Sequence, residues 1–162
     1  MDKEQKFNEV ASYLKQMGLQ VEHTDSGRPW GGFFVISEAD ANKFINLFFP
    51  QLDKSSLHNG KVSPKILLVQ PGKKLSWQYH HRRAELWMLI NGEAALSRSP
   101  NDTEKEIIRI NKGDIVELKQ GERHRLIGLS DWGVIAEIWI HTDSNHPSNE
   151  EDIVRLQDDY GR

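Results

Sequence analysis

At 162 residues, with a 37% hydrophobic fraction and five tryptophans, the chain can bury one substantial core, and a single domain suffices. A formal net charge of −3, without a block of like charge, argues against a nucleic-acid or anionic-membrane partner and points to a small ligand. The absence of cysteine excludes a disulfide framework, a thiolate nucleophile and a zinc ribbon.

The N-terminus, Met1-Asp2-Lys3-Glu4-Gln5-Lys6, is charged and lacks an apolar stretch of signal-peptide length. No apolar run approaches a membrane span, so a cytoplasmic location is expected. Phe7, Val10, Ala11, Leu14 and Met17 recur at three- and four-residue steps ahead of Gly18, which predicts an amphipathic helix over 3–17. Residues 1–27 are expected to form a helical extension packed on a barrel built from 28–162. Gly31 to Ile36 reads as a strand. Ser37-Glu38-Ala39-Asp40 then resembles a helix N-terminus before Phe44, Ile45, Phe48 and Phe49, with Pro50 as the stop. The apolar faces of these two helices are the expected contact of a homodimer.

From Lys65 onward the pattern changes to short β-rich runs: 66–70, 75–80, 85–91, 93–97, 106–110, 114–118, 124–129 and 134–141. About eight strands at that spacing predict a mainly β, jelly-roll barrel, with 142–151 as a polar loop.

The most informative segment is Gln78-Tyr79-His80-His81-Arg82-Arg83-Ala84-Glu85. In an extended chain alternate side chains share a face, so Gln78 and His80 point one way and Tyr79 and His81 the other. Arg82-Arg83-Ala84 reads as a polar turn, after which Glu85 opens an apolar strand and faces back across the hairpin. Downstream, Gly121-Glu122-Arg123-His124 places His124 at the head of another strand. Single histidines at strand ends are ordinary, but four donors on these spacings point to a divalent metal site. Two imidazoles, one carboxylate and one amide oxygen suit Mn, Fe, Co, Ni or Zn.

These spacings, from Gly72 through Gln78, His80 and Glu85 to Gly92, then from Gly113 through Gly121 to His124, resemble the two cupin motifs, with glutamine in place of the usual first histidine. A cupin double-stranded β-helix carrying an N-terminal helix and one short inserted helix is what that resemblance implies. A sharper resemblance rests on Arg28-Pro29-Trp30-Gly31, on Gln78 with His80-His81 and Arg83-Ala84-Glu85, on Gly121 with His124-Arg125-Leu126, and on Glu151-Asp152-Ile153-Val154-Arg155 running to Asp158 and Tyr160-Gly161-Arg162. Together they are similar to the type II mannose-6-phosphate isomerase domain, which often follows a mannose-1-phosphate guanylyltransferase.

That resemblance implies one divalent ion on Gln78, His80, Glu85 and His124, and interconversion of mannose 6-phosphate with fructose 6-phosphate. Such chemistry needs a base to shift a proton between C1 and C2, and an electrophile to stabilise the enediolate, a role a metal with open positions fills. Glu137 matches a glutamate of the family's late strand and is the first candidate base, with His81 next and Arg155 a further catalytic candidate. The phosphosugar needs cationic anchors, for which Arg28, Lys65, Arg83, Arg155 and Arg162 stand in matched segments. Asp158 and Tyr160 are candidates for sugar hydroxyls, Trp30 for a stacking face, and Trp77, Trp87 and Trp139 for packing.

The family pattern has histidine where Arg82 and Leu86 stand, proline at Lys119 and asparagine at Gly128, and a shorter connection than Ser37 to Pro64. Three readings compete: a metal-dependent aldose-ketose isomerase, a non-catalytic sugar or sugar-phosphate binding cupin, and another cupin enzyme such as an oxygenase or epimerase.

Overall fold

The computed structural model describes residues 1–57 and 61–162. Helix α1 spans Lys3–Gln16 and starts at Asp2, whose carboxylate accepts from the Gln5 N–H while the Gln5 side chain accepts from the Asp2 N–H. That reciprocal cap satisfies two N–H groups that a helix start leaves orphaned. Strands β1 (Val21–Arg28) and β2 (Gly31–Ile36) follow, then a one-turn helix at Glu38–Asp40 and helix α2 (Ala41–Phe48). The rest is β: β3 (Lys65–Val69), β4 (Trp77–Tyr79), β5 (Arg83–Ser99), β6 (Ile108–Ile110), β7 (Ile115–Leu118), β8 (Arg123–His141) and β9 (Val154–Gln157).

The strands pair antiparallel in the order β1-β2-β3-β8-β4-β9, while β5 pairs with β6, β7 and β8. β5 and β8 each run through both halves of the resulting barrel. Sequence reading splits each of them in two, at Gly92 and at 130–133. The ladder instead continues through irregular register at Leu89/Asn91 and Gly92/Ala94. Gly92 adopts φ 76° and a Cβ there would collide with the Trp132 carbonyl oxygen, so glycine bends the strand without ending it.

Alternation along the central strands sorts side chains between two cores. On β3, Ile66 and Leu68 face outward and Leu67 and Val69 inward; on β8, Val134, Ala136 and Ile138 face outward and Ile135 inward. The outer layer is covered by Phe7, Val10 and Leu14 of α1 and by Phe44, Ile45 and Phe48 of α2, with Phe49 beside them. Phe44 meets Phe48 edge-on at 4.9 Å between ring centres. Sheet faces covered on both sides explain why β3 reads as a continuous apolar run.

The structure differs from expectation at four places. Residues 21–27, expected within a helical extension, form with Arg28 the edge strand β1, whose largely exposed and polar sequence hides it. β9 lies beside β4 where no strand is expected. Arg83 and Ala84 begin β5 rather than closing a turn. The apolar faces assigned to a dimer contact, from Phe7 to Leu14 and from Phe44 to Phe49, are spent inside the chain's own core. Among the described residues no helix is long and apolar enough to cross a membrane.

Phe44 is fully buried at the centre of this outer layer. Phe44→Ala should lower stability by about 3–5 kcal/mol, read as a shift in the urea midpoint, because the surrounding helix and sheet cannot collapse into the space. A change under about 1 kcal/mol would show that α2 contributes little to the core.

Candidate metal centre and its pocket

His80 follows β4, Glu85 is the third residue of β5 and His124 the second of β8, where it pairs directly with Gln78. These short steps bring His80, Glu85 and His124 together at one end of the barrel, all buried, with one donor atom from each within 4.8 Å of the others. His80 Nε2 lies 3.4 Å from Glu85 Oε2, and His124 Nε2 lies 3.3 Å from Glu85 Oε1.

Both ring orientations are set from behind. His80 Nδ1 lies 2.7 Å from the Asp152 carbonyl and His124 Nδ1 3.0 Å from the Glu122 carbonyl. Carbonyls accept only, so each Nδ1 carries the proton and each Nε2 presents a lone pair to the cluster. Burial holds the His80 imidazole down to about 4, with His124 and Arg83 acting in the same sense and Glu85 opposing, so the ring is neutral at pH 7. His124 Nε2 thus faces the Glu85 carboxylate acceptor to acceptor, and it has no hydrogen-bond partner among the described residues. A cation between them resolves that arrangement, and imidazole, imidazole and carboxylate are donors that a transition metal accepts.

Glu85 would be raised by its complete burial, but His80, the Arg83 guanidinium and His124 outweigh that and hold it well below the usual carboxylate range. Arg83 Nε donates to Glu85 Oε2 at 2.9 Å, and its Nη1 donates to Ser148 Oγ and the Asn149 carbonyl. Its guanidinium lies 3.7 Å from the Trp139 ring centre. Gln78 stands beside the cluster, with Nε2 rather than Oε1 nearest His80, at 3.4 Å; Oε1 accepts from Ser76 Oγ at 2.5 Å. A half-turn of the amide would present the oxygen instead.

The neighbouring row of the barrel carries the second carboxylate. Register aligns Lys65, Glu137 and Trp87 across β3, β8 and β5, one pleat away from Glu85 opposite Trp139. Each oxygen of Glu137 accepts an indole N–H, from Trp87 at 2.8 Å and from Trp139 at 2.9 Å. Burial raises its pKa and the nearby Glu85 charge adds to the effect, against Lys65 and Arg83. Lys65 sits over the rings of Phe33 and Trp139, 4.7 and 4.5 Å from their centres. Burial lowers its ammonium to about 8, against the pull of Glu137.

A cavity of about 100 Å³ opens onto both carboxylates. Of the expected site residues, Arg28, Trp30, Lys65, Gln78, Arg83, Glu85, Glu137, Arg155 and Arg162 line it. Arg155 comes from β9 directly opposite Gln78, and Arg162 is held by Asp158 through Nε at 2.7 Å. Asp158 therefore stands behind an arginine rather than in the cavity, and Tyr160 donates its hydroxyl to the Lys74 carbonyl. His81, expected as a catalytic candidate, is exposed and packs edge-on against Tyr79 with ring centres 5.3 Å apart, on the face away from the cavity. Trp87 and Trp139, expected to serve packing alone, are the two donors that hold Glu137. Ser148 emerges from the segment read as a polar loop and Asp152 from the matched segment just after it; their roles were not read from the sequence, because the partners at the site lie 65 to 72 positions away.

A curled barrel with a buried His-Glu-His cluster at its mouth defines a cupin. The Mannose-6-phosphate isomerase C-terminal family matches residues 41–158, and the chain belongs to that family. Among curated proteins it is 28% identical over 163 residues to the xanthan biosynthesis protein XanB of Xanthomonas campestris, covering 99% of this chain and 29% of that protein. It is 27% identical over 140 residues to the alginate biosynthesis protein AlgA of Pseudomonas aeruginosa and likewise to a mannose-1-phosphate guanylyltransferase of Escherichia coli, covering 86% of this chain and 23% of each. The chain thus spans less than a third of the length of these relatives. The XanB similarity runs through 37–64, the stretch expected to depart from the family, of which 58–60 lie outside the described residues. The capsular polysaccharide assembling protein CapF of Staphylococcus aureus shares the fold, with a TM-score of 0.54 at 17% identity over 86% of this chain and 34% of that one.

The Asp152 carboxylate accepts the His81 and Arg82 N–H groups at 2.9 Å each and the Ser148 hydroxyl at 2.6 Å. Burial alone would raise it; those donors bring it down to about 2. A depressed carboxylate stabilises the fold above its unfolded pKa of about 3.9, and that contribution is lost as pH falls from there toward 2. Asp152→Asn should therefore cost roughly 2 kcal/mol at pH 7, or about 5 °C in Tm, with the gap to the parent closing between about pH 4 and 2. A gap independent of pH would contradict this account of the carboxylate.

Proposed function

We propose that the chain is a metal-dependent aldose-ketose isomerase of a sugar phosphate, with mannose 6-phosphate and fructose 6-phosphate as the pair suggested by its family. The observation that supports this most directly is the buried His80-Glu85-His124 cluster, whose Glu85 lines the same cavity as a carboxylate whose pKa is raised, Glu137. The donors suit one Mn, Fe, Co, Ni or Zn ion, with Gln78 as a fourth ligand once its amide turns. Such an ion supplies an electrophile beside the two sugar oxygens that exchange carbonyl character.

The remaining work falls to this chain's side chains. A raised carboxylate is a better base near neutrality than an ordinary one, because proton transfer is most efficient when the pKa lies near the working pH. Glu137 takes the proton from C2 and returns it to C1, while the proton of the C2 hydroxyl passes to the C1 oxygen, so that the C1 carbonyl becomes a hydroxyl as the C2 hydroxyl becomes a carbonyl. Trp87 and Trp139 hold its two oxygens while leaving each a further lone pair. Arg83 keeps Glu85 ionised and oriented, and its contact over the Trp139 ring joins the two carboxylate rows. Lys65, Arg28, Arg155 and Arg162 offer the phosphate a cationic wall.

Purified protein supplied with Mn, Co or Zn should convert mannose 6-phosphate to fructose 6-phosphate in a coupled spectrophotometric assay, and EDTA or His124→Ala should abolish turnover. Glu137→Gln should lower kcat about 10²–10⁴-fold, the usual contribution of a positioned acid-base group, with little change in KM. Binding of phosphosugars without conversion of any would favour a binding cupin instead, and metal-dependent oxygen consumption an oxygenase.

A further inference from the structure

The pocket contains an anion of the protein's own. Glu150 lines the cavity and its carboxylate pairs with Lys65, although Glu150 comes from the polar segment between β8 and β9 and its side chain is 56% exposed. The two partners differ in environment: Lys65 is 7% exposed and fixed between Phe33 and Trp139, whereas Glu150 reaches in from solvent.

The backbone beneath Glu150 is pinned on both sides. The Asp152 N–H donates to the Asn149 carbonyl, closing a turn with Glu150 and Glu151 at its centre. Arg83 holds Ser148 Oγ and the Asn149 carbonyl, and Asp152 holds the strand end at His81 and Arg82. The same turn orients Arg83 and His80, so it cannot swing away without loosening the candidate metal centre. The Glu150 side chain, more than half exposed, can turn outward without moving that turn.

Cavity size bears on this independently. Sites that enclose small organic ligands run to about 300–1,000 Å³, and this one measures about 100 Å³ with Glu150 turned inward.

We propose that Glu150 is a specificity-determining gate: its carboxylate and the anionic group of the ligand compete for the Lys65 ammonium, so a phosphorylated sugar displaces it and a neutral sugar does not. A dianionic phosphate outbids a monoanionic carboxylate at a buried ammonium because charge-assisted hydrogen bonds strengthen with charge. This assignment rests on reading the cavity as the site of an anionic sugar.

Calorimetric titration with inorganic phosphate tests the gate without recourse to turnover. Glu150→Gln, which keeps the shape and removes the charge, should bind phosphate roughly tenfold tighter than the parent, as expected when a competitor held in place most of the time is removed. The gain should vanish in Glu150→Gln with Lys65→Met, a variant whose folding is verified by its melting curve, and Glu150→Ala should repeat the gain of Glu150→Gln. Equal or weaker phosphate binding by Glu150→Gln, a gain that survives loss of Lys65, or no phosphate binding by any variant would overturn the inference. Tighter phosphate binding without isomerase activity would sustain the gate and sink the isomerase reading; isomerase activity with unchanged phosphate binding would do the reverse.

Discussion

A carboxylate removed from water inside a barrel is costly unless its charge is met from several directions, and Glu85 is the point at which that cost arises in this chain. Arg83 meets one oxygen, His80 and His124 crowd both, and each imidazole is aimed by a backbone carbonyl behind it. Those carbonyls belong to Asp152 and Glu122, which lie in loops at the barrel's open end. The positions of β4, β5 and β8 and of two loops therefore converge on one buried charge, which Arg83 pairs and the two imidazoles face with lone pairs.

That constraint carries over to the second carboxylate. Glu137 is buried and lies close enough to Glu85 to feel its field, so the two do not ionise with equal ease: Glu85, beside Arg83, stays charged, while burial and that field push Glu137 toward its protonated form against Lys65, Arg83 and the Trp87 N–H. Two carboxyl groups in one cavity with opposed shifts form a natural division of labour, one suited to holding a cation and one to exchanging a proton. Lys65 and Arg83 offset this negative charge and leave the cavity receptive to an anion.

The parts of this arrangement that follow period-two alternation were legible in the sequence. Gln78 and His80 share a face because they are two apart on β4 and its continuation, and His81 is turned away for the same reason. The residues that hold the cluster in place were not. Asp152 and Ser148 contact segments far away in the chain, and no spacing links them to His80 or Arg83. Trp87 and Trp139 look like core residues because they are large and apolar, and only strand register shows that their N–H groups converge on Glu137. The long β5 and β8 escaped recognition because glycine within a strand resembles a turn unless its ladder partner is known. β1 escaped because an edge strand exposed to water carries no apolar alternation.

The central claim is that two imidazoles and a carboxylate from three separate strand ends form one ion site. X-ray absorption at the edge of bound cobalt or manganese tests this most directly. The account predicts one ion per chain with scattering from two imidazole rings and the remaining shell of oxygen, reduced to a single ring in His124→Ala. A shell of oxygen alone, or one unchanged by loss of His80 and His124, would contradict it.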